Sequence, residues 1–321
     1  MGNSDAAAGD VLAELDPDVR RYLAMLKSGP AVPMARENIA AMRAAARALR
    51  DGWRKPLPEM HSVGDAFWEG LRYRHYRPAG VKTLPAIIYL HGGGWTLMDI
   101  ETHDAIARNL AQASGAALLQ IEYPLAPEAP FPAALEACIG FAEFVRNSAD
   151  ELGIAADRIG FAGDSAGANL AVAMALQLRD RGAWQAGALG LFYGCYDADF
   201  ERPSMRLYGD GAHFAFTLER LRFLLDCYVP EPEQRTDPLF AVINADLRNL
   251  PRSFLAVASH DILRDENLVM AERLTAAGGA VDCRVYPGTI HGFIEAWSAA
   301  GATIAKAALD DVGSFLRDRL V

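Results

Sequence analysis

The sequence predicts an α/β fold, with a mostly parallel central sheet flanked by helices and with further helical segments attached to it. From about residue 70, short β-branched or aliphatic runs alternate with longer helical patterns, which is typical of repeated strand–helix–strand units. Several of these runs are apolar enough to be buried on both faces, as the strands of a parallel sheet are. The right-handed crossover rule then favours a doubly wound sheet.

Seven runs predict strands. The first, "LRYRHYR" at 71–77, alternates in polarity, which suits a half-exposed strand early in the sheet. The other six are residues 85–90, 116–122, 158–163, 188–194, 253–259 and 281–287. Helical patterns fill most of the intervals between them, at about 103–114, 132–149, 167–181, 265–277 and 294–319.

Two segments fall outside this alternation and predict a helical cap. Residues 1–55 include "ENIAAMRAAARALRDGW", an Ala-rich helix with no strand beside it, and residues 197–235 contain a loop and a helix. An insertion after the carboxyl end of a strand lies where open α/β sheets bind ligands. We therefore expect N-terminal cap helices at 1–55 and a catalytic domain at 56–321, with a cap insertion at about 197–235. The alternative is that both segments only decorate the surface.

The composition limits the partners of the protein. Its 321 residues are 51% hydrophobic and 22% charged, which is ordinary for a soluble globular chain, and no apolar run is long enough to cross a bilayer. The 31 basic and 41 acidic residues give a net charge of −10, which would repel nucleic acid and anionic lipid. We expect a small neutral or apolar substrate, no nucleic-acid partner and no membrane span. A homodimer is left open.

The cysteines and the N-terminus predict a cytoplasmic location. Cys138, Cys195, Cys227 and Cys283 are scattered without CxxC pairs, which indicates reduced, mostly buried thiols rather than disulfides or metal ligands. The N-terminal stretch "MGNSDAAAGDVLAEL" lacks a basic region and is interrupted by acidic residues, so it does not resemble a secretory signal.

A glycine-rich loop follows the predicted strand at 85–90. "HGGGW" at 91–95 places three consecutive glycines at the strand end, which would be costly for a purely structural turn. Glycine amides can donate hydrogen bonds to an oxyanion without obstruction by a side chain. We therefore assign Gly93 and Gly94 as oxyanion donors, joined by the amide of Ala166. A phosphate-binding loop fits less well, because neither GxGxxG nor GxxxxGK[ST] is present.

One serine stands between small residues in "FAGDSAGANLA" at 161–171. Gly163 and Gly167 lie two positions before and after Ser165. This spacing suits a tight strand-to-helix turn with a capping serine, and it equally suits a nucleophile elbow that exposes the serine oxygen. The stretch alone does not separate the two, so the partners of a nucleophile have to be found elsewhere in the chain.

A base and an acid for such a nucleophile follow two later strands. His291, in "YPGTIHGF", lies in a short loop after the last predicted strand. Among Asp261, Asp265 and Glu266, we choose Asp261 to orient the imidazole, because it is nearest to a strand end. The remaining histidines are interpreted as a loop anchor (His91), as pointing away (His260), or as surface or satisfied side chains (His61, His75, His103 and His213). Matches at four strand ends favour the nucleophile elbow.

With these motifs, about residues 60 to 320 resemble the hormone-sensitive-lipase-like branch of the α/β-hydrolases, the bacterial family IV esterases. The resemblance rests on "HGGGW", "EYPLAPEAPFPAALE" (122–136), "GDSAGANLA" (163–171), "DILRDE" (261–266) and "HGF" (291–293). It implies a capped α/β-hydrolase fold, no cofactor and ester hydrolysis. Pro124 and Ala168 replace an arginine and a glycine that are usual in the family, and the 197–235 segment lacks an expected Tyr-Pro pair.

The predicted function is a serine carboxylesterase that hydrolyses short- to medium-chain acyl or aryl esters. Ser165, Asp261 and His291 would form its catalytic triad, and the substrate pocket would be lined by Trp95, Phe214 and Phe293. The same triad would also serve a hydrolase of lactones, amides or carbamates. Two further alternatives are a lyase that uses the same oxyanion hole and a non-catalytic ligand receptor on this scaffold.

Overall fold

An eight-stranded sheet runs through the described part of this computed structural model, which comprises residues 11–53, 57–210 and 213–320. Its strands are β1 (Ser62–Trp68), β2 (Leu71–Arg77), β3 (Leu84–Leu90), β4 (Ala117–Ile121), β5 (Ile154–Asp164), β6 (Leu189–Phe192), β7 (Ser253–His260) and β8 (Val281–Ile290). They lie side by side in the order β1-β2-β4-β3-β5-β6-β7-β8. β2 pairs antiparallel with β1 and β4, and the other neighbouring strands are parallel. The predicted, mostly parallel sheet is therefore confirmed.

Helices cover both faces of this sheet. They are α1 (Pro17–Lys27), α2 (Ile39–Asp51), α3 (Ile100–Ser114), α4 (Ala133–Asn147), α5 (Ala149–Leu152), α6 (Ala166–Asp180), α7 (Pro203–Tyr208), α8 (Leu218–Tyr228), α9 (Arg264–Ala276), α10 (Ala296–Ala300) and α11 (Thr303–Leu320). Short 3-10 turns lie at Arg36–Asn38, Pro232–Thr236, Val242–Asn244 and Phe293–Glu295. α3 and α11 pack together on one face, and α4 and α6 pack together on the other.

The central strand β3 shows why the apolar runs form strands that are buried on both faces. Its residues 86–90 are all fully buried. Ile88 and Leu90 belong to the core that includes α4 and α6, whereas Ile87 and Tyr89 belong to the core that includes α3 and α11. Because successive side chains of a strand point to opposite faces, such a strand needs an apolar side chain at nearly every position.

Some elements differ from those predicted. The edge strand β1 was missed, because its sequence SVGDAFW contains Gly64 and Asp65, residue types that are uncommon in strands. The helix predicted at about 294–319 is two helices, α10 and α11. Gly301, with a φ of 75°, ends α10 in the left-handed conformation that favours glycine.

Several features that would point to other kinds of protein are not found in the described residues. No helix there combines the length and the apolar character needed to cross a membrane. No group of three or more His, Cys, Asp or Glu side chains in the described part is placed to hold a metal ion. Cys138, Cys195 and Cys227 are buried free thiols, and Cys283 is an exposed one.

α6 crosses the ends of β3 and β5 at a distance that requires glycine. A Cβ atom at Gly167 would lie 1.9 Å from the carbonyl oxygen of Leu90. A Cβ atom at Gly163 would lie 2.5 Å from the carbonyl carbon of Gly167. The helix and the strands therefore meet backbone to backbone, and Ser165 is held between the end of β5 and the start of α6.

We expect Gly167→Ala to lower the free energy of unfolding by about 3 kcal/mol or more, because the Leu90 carbonyl has to move and displace the end of β3. Gly64→Ala is the matched control, since a Cβ atom at Gly64 would meet no heavy atom within 4 Å. Urea unfolding of both variants measures the two differences. Equally small effects of the two substitutions would contradict the close crossing.

Candidate active site

Three side chains that follow three different strands meet at the carboxyl edge of the sheet. Ser165 follows β5, Asp261 follows β7 and His291 follows β8. The Nε2 atom of His291 lies 2.9 Å from the Oγ of Ser165, and its Nδ1 lies 2.8 Å from the Oδ2 of Asp261. The hydroxyl, imidazole and carboxylate thus form one hydrogen-bonded chain, which is the arrangement needed to remove a proton from the serine.

The backbone holds Ser165 in a conformation that non-glycine residues rarely adopt, with φ 53° and ψ −118°. Its amide donates a hydrogen bond of 2.9 Å to the carbonyl of Phe192, at the end of β6. Its own carbonyl accepts one of 3.2 Å from the amide of Cys195. These bonds to the neighbouring segment stabilise the strained turn, which is a common property of residues at functional sites.

The carboxylate of Asp261 is buried and oriented by its own turn. Its Oδ1 accepts a hydrogen bond of 2.9 Å from the amide of Leu263, which leaves Oδ2 for His291. Asp265, an alternative acid in the sequence analysis, instead accepts a hydrogen bond of 2.8 Å from the amide of Ser204. The geometry therefore favours Asp261 as the partner of the imidazole.

Glu266, the other alternative acid, lies in the first turn of α9 and is fully buried away from the triad. Its Oε1 accepts hydrogen bonds from the amides of Tyr196 and Asp197, the latter at 3.0 Å. Burial, together with the nearby Asp197 carboxylate, raises the pKa of Glu266 well above its ordinary value. This side chain positions the loop after β6 and does not contact His291 through any hydrogen bond among the described residues.

The glycine-rich loop exposes backbone N–H groups beside the serine. Gly93 has a φ of 113° and Gly94 one of 61°, both in the region that favours glycine. A Cβ atom at these positions would lie 2.3 Å from the Leu97 carbonyl oxygen and 2.5 Å from the Leu224 Cδ1, respectively. No described residue accepts a hydrogen bond from the amides of Gly93, Gly94 or Ala166. Three backbone donors are therefore available to an oxyanion.

Asp164 and His103 form a buried ion pair next to this loop. Asp164 accepts hydrogen bonds from the Tyr89 hydroxyl at 2.7 Å and from the Gly92 amide at 2.8 Å, and it lies 3.4 Å from the Nε2 of His103. Burial opposes ionisation of Asp164, but attraction to His103 and the hydrogen bonds outweigh it and lower the pKa of the carboxyl. Burial likewise opposes protonation of His103, but the Asp164 carboxylate raises the pKa of the imidazole.

Two other histidines near the sheet edge have structural partners. His91 stacks on Tyr123 with ring centroids 4.3 Å apart, and the Tyr123 hydroxyl donates to the His91 carbonyl at 2.7 Å. Burial lowers the pKa of His91 to about 4, so its ring is neutral at physiological pH. The Nε2 of His260 lies 3.0 Å from the carboxylate of Glu14. The loop-anchoring role expected for His91 agrees with these contacts.

A cavity of about 460 Å³ opens onto the triad and is lined by Ser165 and His291. Phe214, for which a place in the substrate pocket was predicted, is among the residues that line it. Phe216 also lines it and stacks on the imidazole of His291, with ring centroids 4.1 Å apart. The sequence analysis missed Phe216, because no motif marks a residue in the middle of a long insertion.

Trp95 and Phe293 are not among the described residues that line this cavity. Trp95 is buried and stacks on Tyr228 with ring centroids 4.6 Å apart. Phe293 is fully buried between Tyr193 and Tyr286, at centroid distances of 5.6 and 5.4 Å. Both rings thus lie in the core next to the site, and the substrate contacts predicted for Trp95 and Phe293 stay predictions.

Both segments predicted to form a cap contribute to the cavity wall. The N-terminal segment contributes, among others, Tyr22, Leu26, Met42, Ala46, Leu49 and Arg50. The 197–235 segment contributes Phe214, Ala215, Phe216, Arg220 and Leu224. Residues 1–10, 54–56, 211 and 212 lie outside the described residues, as does residue 321. The boundaries of the two cap segments stay predictions.

A buried ion pair connects the N-terminal helices to the loop of His291. A terminal nitrogen of Arg50, on α2, lies 2.7 Å from the carboxylate of Glu295, and both side chains are at most 10% exposed. The Tyr22 hydroxyl, on α1, lies 3.2 Å from the same carboxylate and 3.2 Å from the Gly292 carbonyl. The turn that carries the imidazole is therefore linked to both helices by buried polar contacts.

The chain is similar to known hydrolases. Residues 87–295 match a family profile of the α/β hydrolase fold. The carboxylic ester hydrolase LipN of Mycobacterium tuberculosis is 36% identical over 286 residues, which are 84% of this chain and 74% of that protein. An acetyl esterase of Salmonella paratyphi A is 38% identical over 237 residues, 73% of this chain and 72% of that protein. An esterase of the archaeon Pyrobaculum calidifontis superposes with a TM-score of 0.88 at 31% identity, over 95% of this chain and 98% of that one.

We expect Glu266→Gln to gain stability relative to the natural protein as the pH rises from about 4.3, the ordinary Glu pKa. The raised pKa means that the folded state favours the protonated carboxyl, so stability is lost as the pH rises through the folded-state pKa. Glutamine keeps the acceptor oxygen and does not ionise. Urea unfolding between pH 4 and pH 8 measures the difference, with the exposed Glu272→Gln on the same helix as control. A pH-independent difference for Glu266→Gln would contradict the raised pKa.

Proposed function

The chain belongs to the α/β hydrolase fold family and is a carboxylic ester hydrolase, and we propose that it cleaves short- to medium-chain acyl or aryl esters through an acyl-enzyme on Ser165. One observation carries this proposal: the hydrogen-bonded chain from Asp261 through His291 to Ser165, with links of 2.8 and 2.9 Å. The cavity that opens onto the same serine supports it, because it offers an ester a mostly apolar wall.

The first half of the reaction acylates the serine. The Oγ of Ser165 attacks the ester carbonyl carbon while the Nε2 of His291 takes the hydroxyl proton. Asp261 accepts the Nδ1–H of the ring, which fixes its tautomer and stabilises the imidazolium. The bond to the alcohol oxygen then breaks, and His291 gives its proton to the leaving alcohol.

The carbonyl oxygen carries the negative charge of the tetrahedral intermediate. The amides of Gly93, Gly94 and Ala166 donate to this oxyanion, and they are already in place before the charge develops. Donors that are fixed in advance avoid the reorganisation that water would need, and losing one such donor typically costs about 10²- to 10³-fold in rate. In the second half, water attacks the acyl-enzyme with His291 again as base, and the carboxylic acid is released.

The cap, defined as the described residues of the predicted segments 1–55 and 197–235, forms the outer wall of the substrate cavity. Residues from both segments line the cavity around the triad. Phe216 stacks on the imidazole, so it limits the access of water to the base. The length of the acyl chain is therefore set by cap side chains rather than by the sheet.

Turnover of aryl esters from acetate to laurate tests the reaction. We expect Ser165→Ala to abolish turnover, and Asp261→Asn to lower kcat by about 10⁴-fold, because the imidazole loses its orienting carboxylate. Asp265→Asn is the matched control, since Asp265 binds the Ser204 amide and not His291. Circular dichroism of each variant verifies that the protein is folded.

Two results would contradict the proposed roles of these residues. Unchanged turnover in a folded Ser165→Ala protein would exclude the acyl-enzyme. A large loss in Asp265→Asn together with a small one in Asp261→Asn would show that the wrong acid is assigned.

We expect Ala46→Trp to lower kcat/KM for an octanoate ester relative to an acetate ester by about tenfold or more, because the indole fills space that a long acyl chain needs. Ala46 lies on α2 and lines the cavity. Ala48→Trp, at an exposed position of the same helix, is the control and should keep the natural length profile. An unchanged profile in Ala46→Trp would remove α2 from the substrate wall.

A further inference from the structure

The wall of the cavity carries a positively charged side chain, Arg220, that has no negatively charged partner among the described residues. Arg220 lies in the first turn of α8 and lines the cavity together with Ser165 and His291. Among the described residues, its guanidinium makes no hydrogen bond and no ion pair; its backbone amide donates a hydrogen bond to the hydroxyl of Thr217. Burial, reinforced by the nearby Arg50, lowers the pKa of Arg220, as expected for a charge without a partner.

The two carboxylates on the described cavity wall are already paired. Glu295 lies 2.7 Å from a terminal nitrogen of Arg50, and Asp164 lies 3.4 Å from the Nε2 of His103. Each anion therefore has its own buried cation, and neither is left for the guanidinium on α8. The wall consequently carries an excess of positive charge at Arg220.

An unpaired guanidinium that is partly removed from water is unfavourable, and an anion in the cavity would offset that cost. Its planar array of N–H donors matches the two oxygens of a carboxylate, which it can bind through two parallel hydrogen bonds. A substrate with its ester carbonyl at Ser165 and a carboxylate elsewhere in the same cavity would supply such an anion.

We propose that Arg220 binds a carboxylate of the substrate, so that the preferred substrates are carboxylate-bearing esters such as monoesters of dicarboxylic acids. The inference rests on the ester hydrolysis proposed for Ser165. It replaces the neutral or apolar substrate expected from the net charge of −10. A cation on the cavity wall acts on a bound ligand more strongly than distant surface charges, which salt screens.

Two pairs of esters test the proposal. In the first, mono-4-nitrophenyl esters of six- to eight-carbon dicarboxylic acids are compared with the same esters in which a primary amide replaces the free carboxylate. In the second, 4-carboxyphenyl butyrate is compared with 4-carbamoylphenyl butyrate. The first pair places the charge on the acyl side and the second on the alcohol side. The measured quantity is the ratio of kcat/KM for the carboxylate to that for the amide.

We expect a ratio of about ten to a hundred in at least one pair, which is the strength of hydrogen bonds to a charged group. Arg220→Gln should bring that ratio close to one, and Arg220→Lys, which keeps the charge but loses the planar fork, should give an intermediate value. Arg222→Gln is the matched control, because Arg222 is exposed on the same helix, 5.0 Å from the ring of Phe200. It should keep the natural ratio.

Ratios near one for the natural protein in both pairs, with the neutral esters hydrolysed, would overturn the role of Arg220 and leave the proposed function intact. These ratios are measured on the natural protein, so the result does not depend on whether a variant folds. A preference that persists in a folded Arg220→Gln protein would also overturn it. Absence of hydrolysis for every ester would overturn the proposed function and this inference with it.

Discussion

The close crossing of α6 over the ends of β3 and β5 is the constraint on which the site depends. Because Gly167 brings the helix against the Leu90 carbonyl, the first amides of α6 lie directly at the carboxyl edge of the sheet. The same crossing places Ser165 in a turn where its φ is positive. The glycine loop that follows β3 lies next to that turn, where the Gly92 amide donates a hydrogen bond to Asp164. One steric condition therefore places Ser165 close to the backbone amides that we propose as oxyanion donors.

The buried ionisable side chains near the site either have a partner of opposite charge or favour their neutral form. Asp164 is ionised because His103 and two hydrogen-bond donors stabilise it, whereas Glu266, with no cation bonded to it among the described residues, resists ionisation. Arg50 and Glu295 compensate each other across the boundary between cap and sheet. Against this background, the guanidinium of Arg220, which has no partner among the described residues, is exceptional, and this fits the substrate carboxylate proposed for it.

The sequence was sufficient for the features that a short motif specifies. The α/β hydrolase fold is confirmed, and the triad side chains could be chosen because each follows a predicted strand; their catalytic roles stay predictions. Motif position did not reveal side-chain direction, so Trp95 was placed in the pocket although its ring lies in the core. Contacts such as Arg50 with Glu295, 245 residues apart, leave no local pattern and could not be predicted.

The link between Arg50 and Glu295 has a consequence for how the protein loses activity. Glu295 lies four residues beyond the imidazole, in the same turn, so fraying of the two N-terminal helices uncovers an uncompensated carboxylate beside His291. Removing one partner of a buried ion pair typically costs about 3 to 5 kcal/mol. We therefore expect fraying of these helices to disturb His291, the proposed base, before the eight strands separate.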